Sequence, residues 1–225
     1  MENDIKILYE KIDKHFYQDQ TLSKNQIRQW YHLNRYRIAN TLVKSKYGAG
    51  MKIIDLGCGS CDWNSDALPV FGIDLNVNLL RTGMEKRRLC NYKVADAAKT
   101  GLPDASFDIV TSFELLEHLN DYEEALLEAK RLLKEGGHYI ISVPFDTFFS
   151  LWKPLFFVQV LFQGYFLRNP YYRKRCGHVN HFSPKTIKQA FLNTGYEIET
   201  VFDMRRFTIF LCAKKPLLFE LTPKS

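Results

Sequence analysis

Cysteine is scarce in this chain and odd in number: Cys58, Cys61, Cys90, Cys176 and Cys212 are its five, scattered over expected strand ends and loops. Such a set argues against a disulfide framework and reads as free thiols in a reducing, cytoplasmic compartment. The opening Met1-Glu2-Asn3-Asp4 has no basic segment leading into an apolar stretch, so no secretory signal is expected. Internal repeats and low-complexity segments are lacking too. Cys58 and Cys61 have the spacing of a metal or redox pair, but no second pair accompanies them and they fall inside a glycine turn. At 225 residues and 26.4 kDa, with 46% hydrophobic content, the chain fits one α/β domain with appendages. A net charge of +6 is compatible with RNA, a phospholipid surface or a phosphorylated metabolite, and equally with a plain solvated surface.

Ile5, Leu8, Ile12 and Phe16 recur at helical spacing, as do Ile27, Tyr31, Ile38 and Leu42, which predicts two helices forming a cap over residues 1–48. Strand-like runs follow at 52–56, 70–73, 92–95, 107–111 and 138–143. Their alternation with helical segments implies a parallel sheet with right-handed crossovers. Ala125, Leu126, Ala129, Leu132 and Leu133 predict a helix ending in a glycine stop at Lys134-Glu135-Gly136-Gly137. Residues 184–193 read as a helix, and 197–202 and 206–213 as a closing hairpin. The run 148–167 is aromatic and aliphatic but broken by Lys153, Pro154, Gln159, Gln163 and Gly164, which argues against a spanning helix. It fits a lid over the site within an insertion 145–176, or an interfacial helix touching membrane through 148–175. Arg168, Arg173, Lys174 and Arg175 stand ready for phosphate head groups.

Ile53-Ile54-Asp55-Leu56-Gly57-Cys58-Gly59, with Gly72-Ile73-Asp74-Leu75 some way on, is the chain's most informative feature. A strand ending in a glycine turn, then a second strand ending in a lone acid, is how a βαβ unit holds a nucleoside. Gly57 and Gly59 remove Cβ atoms from a sharp turn that must approach a ligand closely. Asp74 stands where a carboxylate accepts ribose hydroxyls. Asp55 and Asp62 flank the turn, would repel a diphosphate and suit the positive amino-acid end of S-adenosylmethionine.

With these residues in place, the stretch from Lys52 to Lys214 resembles the class I S-adenosylmethionine-dependent methyltransferases. The resemblance implies a Rossmann-like α/β fold: seven mostly parallel strands, a C-terminal antiparallel hairpin and helices on both faces, here over residues 49–225. It implies that Asp55, Gly57, Cys58 and Gly59 form the first cofactor motif, and that Asp74 with Leu75 meets the ribose. Asp96 and Ala97 would meet the adenine, and Ser112, Phe113 and Glu114 the methionine moiety. Leu132-Leu133-Lys134-Glu135-Gly136-Gly137 is a further family hallmark. Cys61, where the family commonly has a third glycine, and the short stretch before Asp74 imply a short first helix.

Glu114-Leu115-Leu116-Glu117-His118 would place both acids and the imidazole within one helical turn, and His178 and His181 follow the expected lid. This pattern resembles two branches of the superfamily, ubiquinone-biosynthesis O-methyltransferases and small-RNA 2′-O-methyltransferases, where it is associated with a divalent cation. Glu114, Glu117, His118 and His178 would suit Mg2+ or Mn2+, or else Glu117 and His118 order the loop by hydrogen bonds. His178, His118 and Glu117 are the candidates for catalysis, His178 as the acceptor-facing group. Four functions compete: O-methylation of a small or lipid-linked acceptor, RNA 2′-hydroxyl methylation, N- or C-methylation of small molecules, and cofactor binding without catalysis. The intact Asp55, Gly57, Gly59, Asp74 and Asp96 argue against the last.

Overall fold

The computed structural model describes residues 21–147, 150–168 and 178–217. The helix expected over residues 5–16 lies outside them. Helix α1 (Gln26–Lys46) starts at Asn25, whose side chain accepts from the Ile27 and Arg28 amides. Strands β1 (Ile53–Leu56) and β2 (Val70–Asp74) follow, joined by residues 57–69, which run as turns. The expected short first helix is therefore absent between them. Then come α2 (Val77–Glu85), β3 (Asn91–Val94), β4 (Phe107–Phe113), a 3-10 turn (Leu116–His118), α3 (Tyr122–Leu132) and β5 (Leu133–Pro144). Helix α4 (Trp152–Gln159) passes into a π-helical stretch (Val160–Phe166). Helix α5 (Pro184–Asn193) and the hairpin β6 (Glu197–Met204) and β7 (Thr208–Lys214) complete the described chain.

The seven strands form one sheet in the order β3-β2-β1-β4-β5-β7-β6, with β7 antiparallel to β5 and to β6 and the other neighbours parallel. Period-two strands must divide their side chains between two faces, and they do. Ile53, Ile109, Ile140 and Phe210 join Ala39 and Val43 of α1 and Leu80 of α2 in one cluster. Ile54, Val110, Ile141 and Leu211 join Leu126 and Ala129 of α3 and Ile187 and Phe191 of α5 in the other. Helices thus cover both faces, as the resemblance implied.

Two sequence readings need correction. In α1 the buried face is Arg35, Ala39, Asn40 and Val43, while Ile27 is exposed; the helix turns polar groups as well as methyls inward. The predicted glycine stop after α3 is instead the first part of β5. Lys130 and Arg131 are the basic last turn, Leu133 pairs with Phe107, and a Cβ on Gly137 would come within 2.9 Å of the Asp108 and Lys134 carbonyl oxygens. Close strand approach, rather than helix termination, requires that glycine.

Candidate functional site

The order of strands reverses between β1 and β4, with β2 and β3 on one side and β5 on the other. In open parallel sheets the ligand crevice opens at that point, beyond the carboxyl ends of the strands. Leu56, Asp74, Val94, Phe113 and Pro144 are those ends.

Gly57 and Gly59 leave β1 with φ of +66° and +53°. A Cβ on Gly57 would stand 2.6 Å from Leu115 Cδ1. Gly57→Ala is expected to cost about 1–3 kcal/mol in urea unfolding, because left-handed backbone and a clash coincide. A variant as stable as its parent would mean that the turn relaxes at no cost. The Gly59 amide donates to Asp74 Oδ2 at 2.7 Å and the Asn76 amide to Oδ1 at 2.8 Å. Buried Asp74 therefore ties the glycine turn to the end of β2. Half-buried Leu75 follows it. Half-buried Asp96 accepts from the Ala98 amide at 3.0 Å, and Ala97 beside it is buried.

The acids flanking the turn serve the protein. Asp55 accepts from Trp63 Nε1 and Thr111 Oγ1, each at 2.7 Å, and from Cys61 Sγ at 3.6 Å; burial pushes its carboxyl up to about 6. Asp62 pairs with Arg88 and accepts from Ser60. Both acids therefore find partners within the fold. Ser112 also turns inward, bonding the Tyr139 hydroxyl at 2.8 Å. Phe113 stays at the site and packs edge-on against Trp63, centroids 5.4 Å apart. Cys58 and Cys61 are separate thiols, pushed up by burial and by the nearby carboxylates. Cys90 and Cys212 are free as well, and Cys176 lies outside the described residues.

Glu114 is not in a helix. It follows β4 with φ of +56°, which turns its carboxylate toward α1 and β5. There Arg35 Nη1 approaches to 3.0 Å, Ser142 Oγ donates at 2.9 Å and the Tyr31 hydroxyl donates at 3.3 Å. Arg35 is buried, and its Nε has no hydrogen-bond partner. This buried cation with an unused donor lies in the aromatic and basic stretch of residues 30–37, which by its sequence suits either the lining of an acceptor site or a helix packing its aromatics inward. His32 beside it is kept neutral, lowered to about 2 by burial and by Arg35 and Arg28.

Glu117, His118 and His178 come together, with one ligand atom of each within 4.8 Å of the others. His118 Nε2 lies 3.8 Å from Glu117 Oε1, and the two imidazoles meet edge-to-face at 4.8 Å. The loop that carries His178 is fastened here: the Val179 and Asn180 amides donate to the Glu117 carbonyl at 2.8 and 3.1 Å, and Asn180 Nδ2 donates to the Leu116 carbonyl at 3.0 Å. Glu117 is buried and neither carboxylate oxygen has a hydrogen-bond partner. Burial, with Glu114 and Asp146 nearby, pushes it well above the usual carboxyl range. His178 is held well below the usual imidazole value by burial and by His118 and His181. Glu114 is outside this set of ligand atoms, because Arg35 and Ser142 hold it. His181 pairs with Asp146 instead.

A sheet of this order, with a glycine turn and acids at its carboxyl edge, defines a class I S-adenosylmethionine-dependent methyltransferase. The methyltransferase-domain family matches residues 24–201, and the chain belongs to it. The demethylmenaquinone methyltransferase of Geobacillus sp. (strain WCH70) is 32% identical over 145 residues, 59% of this chain and 59% of that protein. The protein of the same name from Staphylococcus epidermidis is 30% identical over 164 residues, 65% of this chain and 68% of that one. The chain thus spans about three fifths to two thirds of these relatives. Among solved structures, geranyl diphosphate methyltransferase in complex with GPP and sinefungin shares the fold with a TM-score of 0.68 at 13% identity, over 95% of this chain and 98% of that one. A methyltransferase from Aquifex aeolicus matches at TM-score 0.59 and 16% identity, over 91% and 100%.

Proposed function

We propose that the chain transfers the methyl group of S-adenosylmethionine to an oxygen of a small apolar or lipid-linked acceptor. One observation carries the reading: a buried carboxylate, Glu117, stands without a hydrogen-bond partner beside two imidazoles at the carboxyl edge of β4. When bound, S-adenosylmethionine supplies a sulfonium already activated for in-line displacement, so the chain's task is alignment and handling of the acceptor proton. Asp74 would take the ribose hydroxyls, Asp96 and Ala97 the adenine edge, and Arg35 the cofactor's carboxylate once it leaves Glu114. The glycine turn and Phe113 would line the methionine end. His178 would be the acceptor-facing group that takes the proton of an acceptor hydroxyl.

The two Glu117 oxygens without hydrogen bonds also fit a divalent cation, whose charge would favour the ionised carboxylate. One carboxylate and two imidazoles suit Mn2+, Fe2+ or Zn2+ better than Mg2+, which prefers an all-oxygen shell. With such an ion, Glu117, His118 and His178 would be its ligands and an acceptor hydroxyl would be polarised there. The names of the curated relatives and of the GPP-bound neighbour support an apolar acceptor, and the free thiols support a cytoplasmic setting. The test is transfer of radiolabelled methyl into host extract separated into lipid, RNA, protein and polar fractions, with and without chelator. Label in lipid or small molecules is the expected result, and its loss on chelation would assign the metal. Label in RNA would replace this acceptor with a ribose hydroxyl, the reading favoured by the net charge of +6.

A further inference from the structure

Helix α4 and the π-helical stretch after it turn large apolar side chains to solvent. Phe157, Val158, Leu161, Phe162, Tyr165 and Phe166 are between 47% and 76% exposed, and they fall as adjacent pairs every four residues. On a helix that spacing makes one continuous stripe. The Leu167 amide donates to the Phe162 carbonyl at 2.9 Å, and the Phe162 and Phe166 rings stack at 5.6 Å, so the stripe is built into a regular backbone. Val160 points the other way and is buried. A stripe of this size facing water marks an interaction surface.

Basic groups frame it. Leu151 donates its amide to the Arg206 carbonyl at 3.2 Å, which ties the start of the segment to the turn between β6 and β7. Arg205 and Arg206 in that turn are exposed, and so is Arg168 at the far end of the stripe. Lys153 is occupied by Asp146 at 2.7 Å. Among the described residues no helix is long and apolar enough to cross a membrane. An apolar helical stripe, too short to span and edged by arginines, has the chemistry of the boundary between acyl chains and anionic head groups.

We propose that residues 157–168 lie in the plane of an anionic lipid bilayer, with the paired aromatic and aliphatic side chains immersed and Arg168, Arg205 and Arg206 on the head groups. This docking stands apart from the acceptor reading, because it requires neither cofactor nor methyl transfer. The full chain is floated with vesicles of phosphatidylcholine alone or containing a minority of phosphatidylglycerol. Flotation is expected with the anionic vesicles and should weaken as salt is raised. Phe162→Glu and Phe166→Glu should each lower binding about tenfold or more, since each removes one immersed ring. Leu127→Glu, at an exposed leucine of α3 outside the stripe, should float like the parent. Arg168→Glu should remove the preference for anionic lipid. The proposal is overturned if the parent stays unbound to anionic vesicles or if the glutamate variants float as it does. It is also overturned if the stripe instead mediates a concentration-dependent dimer that Phe162→Glu dissociates.

Discussion

Asp74→Ala is expected to lower affinity for S-adenosylmethionine by about 100-fold, read by calorimetry. Charge-assisted hydrogen bonds contribute about 1.5–3 kcal/mol, and a carboxylate facing a ribose diol can make a pair of them. The structure adds a second loss. The same carboxylate receives the Gly59 and Asn76 amides, so its removal also frees the turn that the cofactor rests on. Asp74→Asn separates the two, because one amide oxygen can still accept from the backbone while the charge is gone. The alanine variant should therefore melt lower than the asparagine variant without cofactor, and both should bind weakly. Unchanged affinity in both would remove Asp74 from the ribose.

Where local chemistry decides an element, the sequence was enough. The α5 helix runs over Pro184–Asn193 as read, since Ser183 caps it in a reciprocal capping box with Thr186 and Pro184 occupies the first turn. The strand ends that hold Gly57, Asp74 and Asp96 were legible for a similar reason: apolar runs stop at glycine and acid. What stayed hidden depends on contacts between distant residues. Glu114 looked like part of a helical Glu-Leu-Leu-Glu-His turn, yet Arg35 and Tyr31 on α1 draw it into left-handed backbone. Lys134-Glu135-Gly136-Gly137 has the letters of a helix stop, and only the neighbouring strand shows why glycine is needed there. Asp55 and Asp62 read as free charge beside the turn because Trp63, Thr111 and Arg88 had no visible link to them.

Glu117→Gln is expected to cut turnover by about 10²- to 10⁴-fold while making the cofactor-free protein more stable, a combination that a purely structural carboxyl would not produce. The stability arm follows from proton linkage. In the fold Glu117 keeps its proton well above the ordinary value of 4.5, so over that window the native state holds a proton that the unfolded chain has released. The share of the parent's stability that Glu117 carries then falls as pH rises above 4.5, by up to about 1.4 kcal/mol per unit until the folded-state value is passed. Asp55 contributes in the same sense between 3.8 and about 6. His178 and His32, both held below the usual imidazole value, act oppositely below 6.5, but they do so in parent and variant alike. The difference between the two proteins therefore isolates Glu117: glutamine should be the more stable at neutral pH, and the gap should close below about pH 4.5. A divalent ion reverses the balance in the parent alone, because an ionised Glu117 beside His118 and His178 would hold it. Mn2+ should thus raise the melting temperature of the parent and leave that of Glu117→Gln unchanged. Full turnover in the glutamine variant would return Glu117 and His118 to ordering the loop.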